Sequence, residues 1–252
     1  MYWIRFCAIT LAAILLVANG PAIAQEEAMQ EEAMQEEAVQ QEEVVQEETV
    51  DPLQMAYEEA VAIHDDGDWE LAVKRYKEIL KQDKTHAATH ANMGLAYMSL
   101  DKRDDAINAY KKAIEYNTED GDVLYNLGTL YHEKGKHDDA IKTFEAMLMQ
   151  SSDEEDVDLY TKLYLNLGNA HFKKKHYDQA IEAYQEVTRI DSVNAEPYFN
   201  MAIVYAKQKD ADGVIASLQM YIDKAAGTED TDQIQMWLAQ LRAASETTDE
   251  DN

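Results

Sequence analysis

Cysteine occurs once in the 252 residues, at Cys7, inside an apolar amino-terminal stretch that reads as removable. Disulfides, thiolate nucleophiles and cysteine-ligated zinc are therefore excluded from the working chain. Basic residues are scarce as well: 22 Lys and Arg stand against 50 Asp and Glu, a formal net charge of −28. A protein that neutralises phosphates needs a basic stripe, and a field of this sign repels polyanions, which excludes nucleic acid as a partner and disfavours anionic membrane surfaces. No glycine-rich phosphate loop occurs, and no serine sits in a strand-turn-helix elbow. The one long apolar run, 6–17, is shorter than the about 20 residues of a membrane span.

What is present begins with a leader. Arg5 supplies a positive start, 6–17 an apolar core, Asn19-Gly20-Pro21 a helix breaker, and Ala22-Ile23-Ala24 a small-x-small cleavage site. Residues 1–24 are read as a secretory signal, which predicts an exported protein, periplasmic in the first reading and secreted to the medium in the second. Membrane contact is expected only through an uncleaved leader. From Gln25 a five-residue unit repeats, QEEAM to QEETV, placing eleven carboxylates and no basic residue in 25–51. A period of five spreads the apolar positions around a helix and builds no stripe, so 25–52 is expected to be a solvated, low-complexity acidic spacer.

The main signal is a longer repeat. Small residues recur at Ala60, Gly94, Gly128, Gly168 and Ala202, and a second set follows twelve positions later at Ala72, Ala106, Ala140, Ala180 and Val214. Aromatic or bulky residues keep register with them, as at Tyr76, Tyr110, Phe144, Tyr184 and Leu218. Each unit holds two amphipathic, helix-length stretches joined by a polar turn such as Asp65-Asp66-Gly67-Asp68. Small residues let the two helices approach, and the ring beside them fills the gap. One hairpin cannot bury its own apolar face, so neighbours must stack into a solenoid.

At these residues the chain resembles the tetratricopeptide repeat family: Asn92-Met93-Gly94-Leu95-Ala96-Tyr97 followed by Asp105-Ala106-Ile107-Asn108-Ala109-Tyr110 matches its pattern nearly position by position. The resemblance implies an all-α, right-handed superhelical solenoid of about five helix-turn-helix units plus a carboxyl-terminal capping helix. The units fall at about 53–86, 87–120, 121–154, 161–194 and 195–228, with an insertion at 155–160, a cap at 229–245 and a frayed acidic end at 246–252. Ile234, Trp237, Leu238 and Leu241 are expected to form the cap's shielding face. The insertion is expected either to lengthen the first helix of unit four or to form an acidic bulge. The family's closing proline is replaced by Lys84, Thr118, Ser152 and Ser192, which predicts looser turns between units.

Histidines do not assemble a ligand set. His86 and His90 straddle a join between units, while His137 and His176 are read as packing residues in the turn slot held elsewhere by Trp69 and Arg103, and His171 as standing in a tyrosine slot. No catalytic residue, metal or cofactor is assigned. In the family the first helix of each unit lines a concave channel, and carrying this over yields Tyr57, Asn92, Leu95, Tyr125, Asn126, Thr129, Lys162, Leu165, Asn166, Asn169, Lys173, Phe199, Asn200, Ile203 and Lys207 as a peptide-binding groove. The recurrent Asn92, Asn126, Asn166 and Asn200 suit an extended peptide backbone, the competing reading being that they satisfy contacts between helices. Charge along the groove runs from Glu58, Asp65, Asp122 and Glu133 to Lys162, Lys173 and Lys207. The family's carboxylate clamp is absent, and the aromatic residues point to an apolar or helical ligand. The expected function is a non-enzymatic envelope adaptor that binds a protein segment of unnamed identity. Self-assembly of a structural protein, and ion or basic-ligand capture by the acidic segment, are the alternatives.

Overall fold

Alanine and glycine dictate where the helices of this chain meet. A computed structural model describes residues 51–117, 120–150, 156–225 and 229–250; the leader expected at 1–24 and the acidic repeat at 25–50 lie outside them. The chain divides into two units, 1–54 and 55–252. In the first, the Asp51 carboxylate accepts the Leu53 amide at 2.9 Å, which begins a helix. The second is an all-α helical repeat solenoid with no strand among the described residues.

Eleven helices are described: α1 (Pro52–Asp65), α2 (Trp69–Gln82), α3 (Ala87–Ser99), α4 (Arg103–Glu115), α5 (Gly121–Glu133), α6 (His137–Gln150), α7 (Val157–Lys173), α8 (Tyr177–Ile190), α9 (Glu196–Gln208), α10 (Ala211–Lys224) and α11 (Glu229–Glu250). Odd-numbered helices up to α9 are the first of each repeat. From α2 onward each helix packs on the next, and α5 also touches α7, so first helices lie beside first helices.

Within a hairpin the small-residue rule holds closely. A methyl added at Gly94 would come within 2.5 Å of the Tyr110 ring, one at Gly168 within 2.5 Å of Tyr184, and one at Gly128 would strike Phe144. Those rings, with Ala72, Ala106, Ala140 and Ala180, are fully buried. The turn has a fixed chemistry too. Seven residues after the small position the backbone turns left-handed in every repeat, at Gly67, Asp101, Gly135, Lys175 and Lys209. The next amide then returns to the carbonyl five residues back, as in Lys136 to Tyr131 and His176 to His171. This closes the first helix with its last carbonyls satisfied.

Several expectations change. The turns that lack proline are tied by carboxylates: Asp83 Oδ1 accepts the Thr85 amide and hydroxyl at 2.8 and 2.7 Å, and Asp191 Oδ1 accepts the Val193 amide at 3.3 Å. Looseness at Lys84 and Ser192 is therefore not what the chain adopts, whereas Thr118 and Ser152 lie outside the described residues. The insertion lengthens α7 to 17 residues, capped by Asp156 on the Leu159 amide and anchored by the buried Tyr160. The acidic end expected to fray at 246–252 continues α11 as far as Glu250, since no glycine or proline interrupts it.

In the cap itself Ile234 and Leu238 are buried against Ala202, Leu218 and Ile222. Trp237, expected in the shielding face, is 47% exposed and Leu241 38%, because the seam of α11 is filled by the Ile234–Leu238 pair one turn apart. His176 precedes α8, and Tyr177 takes the slot of His137, so the two histidines are one position out of register.

Candidate functional site

The expected groove residues fall into two groups once the neighbouring repeats are in place. The first group knits helices together. Asn92 Nδ2 donates to the Tyr57 hydroxyl at 2.8 Å, and Asn166 Nδ2 donates to the Tyr125 hydroxyl at 3.2 Å and reaches Thr129 Oγ1 at 3.5 Å. Each bond joins one repeat to its predecessor. The Asn169 carbonyl accepts the Tyr184 hydroxyl at 2.8 Å, within one hairpin. Leu165 is buried in the apolar cluster of Ala180, Tyr184 and Met201 and leaves the surface altogether.

The asparagine row thus alternates. Asn126 follows Ala91, and Asn200 follows Leu165, neither of which offers a hydroxyl. Asn126 instead lies near the buried Tyr110 hydroxyl, which its amide approaches without completing a hydrogen bond. Burial, aided by the charge of Asp120, pushes the Tyr57 phenol above its ordinary range and keeps it a neutral hydrogen-bonding group.

The second group is accessible. Leu95 and Ile203 are 39% and 38% exposed, and Lys162, Lys173 and Lys207 are exposed with no ion pair among the described residues. Phe199 is half-buried beside Tyr221, ring centroids 5.5 Å apart. On α9 the residues Phe199, Ile203 and Lys207 stand at i, i+4 and i+8, one stripe of the helix. Five residues after the small position, the rim of the face reads Asp65, Ser99, Glu133, Lys173 and Lys207. Glu133 is engaged by Arg103 Nε at 3.2 Å, which blunts the acidic side of the gradient.

Two cavities escaped the sequence reading. One of about 540 Å³ lies where repeat five meets α11, lined by Phe199, Tyr221, Ile234 and Trp237 with Asn194 and Glu196 at its edge. The spacing of Ile234, Trp237, Leu238 and Leu241 does not set Trp237 apart, so the sequence carries no signal for this cavity. The other, about 770 Å³, is lined by Lys111, Lys112, Lys142 and Tyr131 between α4, α5 and α6; the Lys111-Lys112 doublet in an acidic chain was its signal.

The histidines do not converge. His86 caps α3, its Nδ1 accepting the Thr89 amide, and His90 Nε2 bonds the Lys84 carbonyl. Two pairs instead close hairpin turns: His132 with His137, ring centroids 4.9 Å apart, and His171 with His176, Nδ1 to Nδ1 at 3.4 Å. Among the described residues no group of three or more His, Cys, Asp or Glu could hold a metal ion, and no helix is long and apolar enough to cross a membrane.

Comparison with known families decides the affiliation. A family described as tetratricopeptide repeat matches residues 91–155, and a second described as TPR repeat matches 168–209. The chain carries tetratricopeptide repeats. Repeats of this family serve as scaffolds for protein–protein contact and are generally non-enzymatic. FK506-binding protein 5 of Rhizopus delemar is 30% identical over 74 residues, which are 29% of this chain and 19% of that protein.

Among solved structures, a crystal structure of MamA protein shares 23% identity at a TM-score of 0.62, covering 68% of this chain and 91% of that one. The crystal structure of YrrB, described as a TPR protein with an unusual peptide-binding site, shares 20% identity at 0.63, covering 77% and 96%. Pseudomonas aeruginosa pilF shares 18% at 0.55, covering 79% and 87%. At these identities the likeness is one of tetratricopeptide fold.

Proposed function

We propose that this tetratricopeptide chain is an exported, non-enzymatic adaptor of the cell envelope that holds a peptide or helix of a partner protein across the face of its first helices. The observation that carries the reading is the division of labour on that face. Asn92, Asn166, Tyr57 and Tyr125 lock neighbouring repeats, which leaves Leu95, Ile203 and the exposed Lys162, Lys173 and Lys207 as a preformed accessible surface. A rigid surface of mixed apolar and cationic groups costs little ordering entropy when a partner docks. Export rests on the leader composition of 1–24.

The same bonds determine how the reading must be tested. Alanine at Tyr125 or Asn166 would disturb the stacking of repeats and not contact alone. The informative change is Leu95→Glu, Lys173→Glu, Ile203→Glu and Lys207→Glu together in the full chain, with helicity checked by circular dichroism. Capture from an envelope extract of the native host is expected to lose one abundant partner with this variant. Equal capture by both chains would move the working surface to the second helices or to the acidic segment.

A further inference from the structure

A cap whose sole task was shielding would bury its largest apolar side chain. In α11 the shielding is complete without Trp237: Ile234 and Leu238 are 4% exposed, in the cluster of Leu218 and Ile222, while Trp237 stays 47% exposed. Trp237 follows Ile234 by three positions, about 60° around the helix, and that turn brings it to the cavity shared with Phe199 and Tyr221. About 540 Å³ walled by three aromatic rings and Ile234 lies within the size range of clefts that take a ligand group, about 300–1,000 Å³. Such a concave apolar site with a polar edge is where an interface places its energetic anchor.

Charge selects what surrounds the anchor. From Phe199 the accessible stripe of α9 runs through Ile203 to Lys207, about 12 Å along the axis, and Lys173 holds the equivalent place on α7. Neither lysine has an ion pair among the described residues, in a chain of net charge −28. Three to four residues of extended peptide cover about 12 Å. Glu196 at the cavity edge disfavours a carboxylate beside the anchor itself, which shifts acidic side chains outward to the lysines.

Resting on the groove reading above, we propose that the cavity closed by α11 is an anchor site for a bulky apolar side chain of an acidic partner segment, with carboxylates three or four residues away received by Lys173 and Lys207. The cap is then part of the recognition surface, and the last repeat dictates the register of the bound segment.

The test uses the full chain and a short fluorescein-labelled peptide with a Trp-Leu pair at its centre and glutamates three and four residues to either side. It is read by anisotropy beside a lysine-for-glutamate peptide and a peptide with Ser-Ser at the centre. The acidic, anchored peptide is expected to bind best. Trp237→Ala should weaken it roughly tenfold or more, with Trp237→Phe retaining most of the affinity. Lys173→Glu with Lys207→Glu should reject it and accept the lysine peptide. Equal binding of all three peptides, or no effect of Trp237→Ala, overturns the proposal. So does concentration-dependent mass growth in light scattering that Trp237→Ala abolishes, because it assigns the cavity to a second copy. The two readings fail separately: if Leu95→Glu alone removes the captured partner while the peptide ignores Trp237, the groove stands and the anchor falls. If the peptide needs Trp237 and the two lysines while Leu95→Glu with Ile203→Glu captures the partner as before, the anchor stands and the wider groove falls.

Discussion

Five residues carry the hairpin turns, and only two of them are suited to it. Gly67 and Gly135 adopt positive φ without cost, whereas Asp101, Lys175 and Lys209 hold φ of 54°, 63° and 63° with a Cβ in place. Left-handed backbone costs an L-residue about 1–2 kcal/mol. Lys175→Gly or Lys209→Gly is therefore expected to stabilise the chain by about 1 kcal/mol, and Gly135→Ala to destabilise it by a similar amount, as read by thermal unfolding. Gly128→Ala is expected to cost about 1–3 kcal/mol, since Phe144 is fully buried and must shift to admit the methyl.

The histidine pairs add a pH dependence at the same scale. Burial first, then the neighbouring imidazole, holds His132 and His171 below the usual imidazole range. Lys173 adds to the shift at His132 while Glu133 opposes it, and Glu145 and Glu182 oppose it at His171. The folded chain thus takes up these protons at lower pH than the unfolded chain, so stability present above about pH 6.5 is lost as pH falls below it. Replacing both by glutamine should flatten the loss of Tm between about pH 7.5 and about pH 5 relative to the parent chain. Asp104 and Asp138, which Lys134 and Lys174 hold below the usual range, lose their contribution only below about pH 4, so a slope unchanged in the variant would remove the two histidines as its cause.

At the scale of elements, the hairpins were legible and the joints between them were not. Spacing alone placed Gly94 opposite Tyr110 and Gly168 opposite Tyr184, because both members of each pair belong to one short-range pattern. The asparagines were seen as a row, but their bonds depend on what the preceding repeat offers 35 or 41 residues earlier: tyrosine before Asn92 and Asn166, alanine and leucine before the other two. Leu165 is taken up by the cluster of Ala180, Tyr184 and Met201, in its own and the following repeat, and Asn169 by the Tyr184 hydroxyl of its own hairpin. Trp237 was placed on the right helix and the wrong face, since three apolar residues compete there for a seam that two of them fill. A double-mutant cycle of Tyr125→Phe and Asn166→Ala is expected to show a coupling of about 0.5–1.5 kcal/mol. The pair Ala91 and Asn126 should show none.

For the whole molecule, stability is close to a sum of repeats and their shared faces. Removing 229–252 would bare Ala202, Leu218 and Ile222. The fifth repeat is then expected to melt ahead of the rest, seen as rapid hydrogen exchange confined to 196–224. Exposed polar bonds also bridge successive repeats in register, at Asp104 with Lys134, Asp138 with Lys174 and Asp178 with Gln208. Each contributes little singly and less in salt.

The alternation of the asparagine bonds has a mechanical meaning. Among the described residues the joints between repeats one and two, and between three and four, carry a half-buried amide-to-hydroxyl bond, whereas those after the second and fourth repeats are bridged by the exposed bonds of Asp104 with Lys134 and Asp178 with Gln208. Drawn out by its ends, the stack would give first at those two places, so that its elastic element is a pair of repeats. A force–extension trace should show compliance concentrated at two hinges, and a Leu165→Tyr change facing Asn200 should stiffen the second of them.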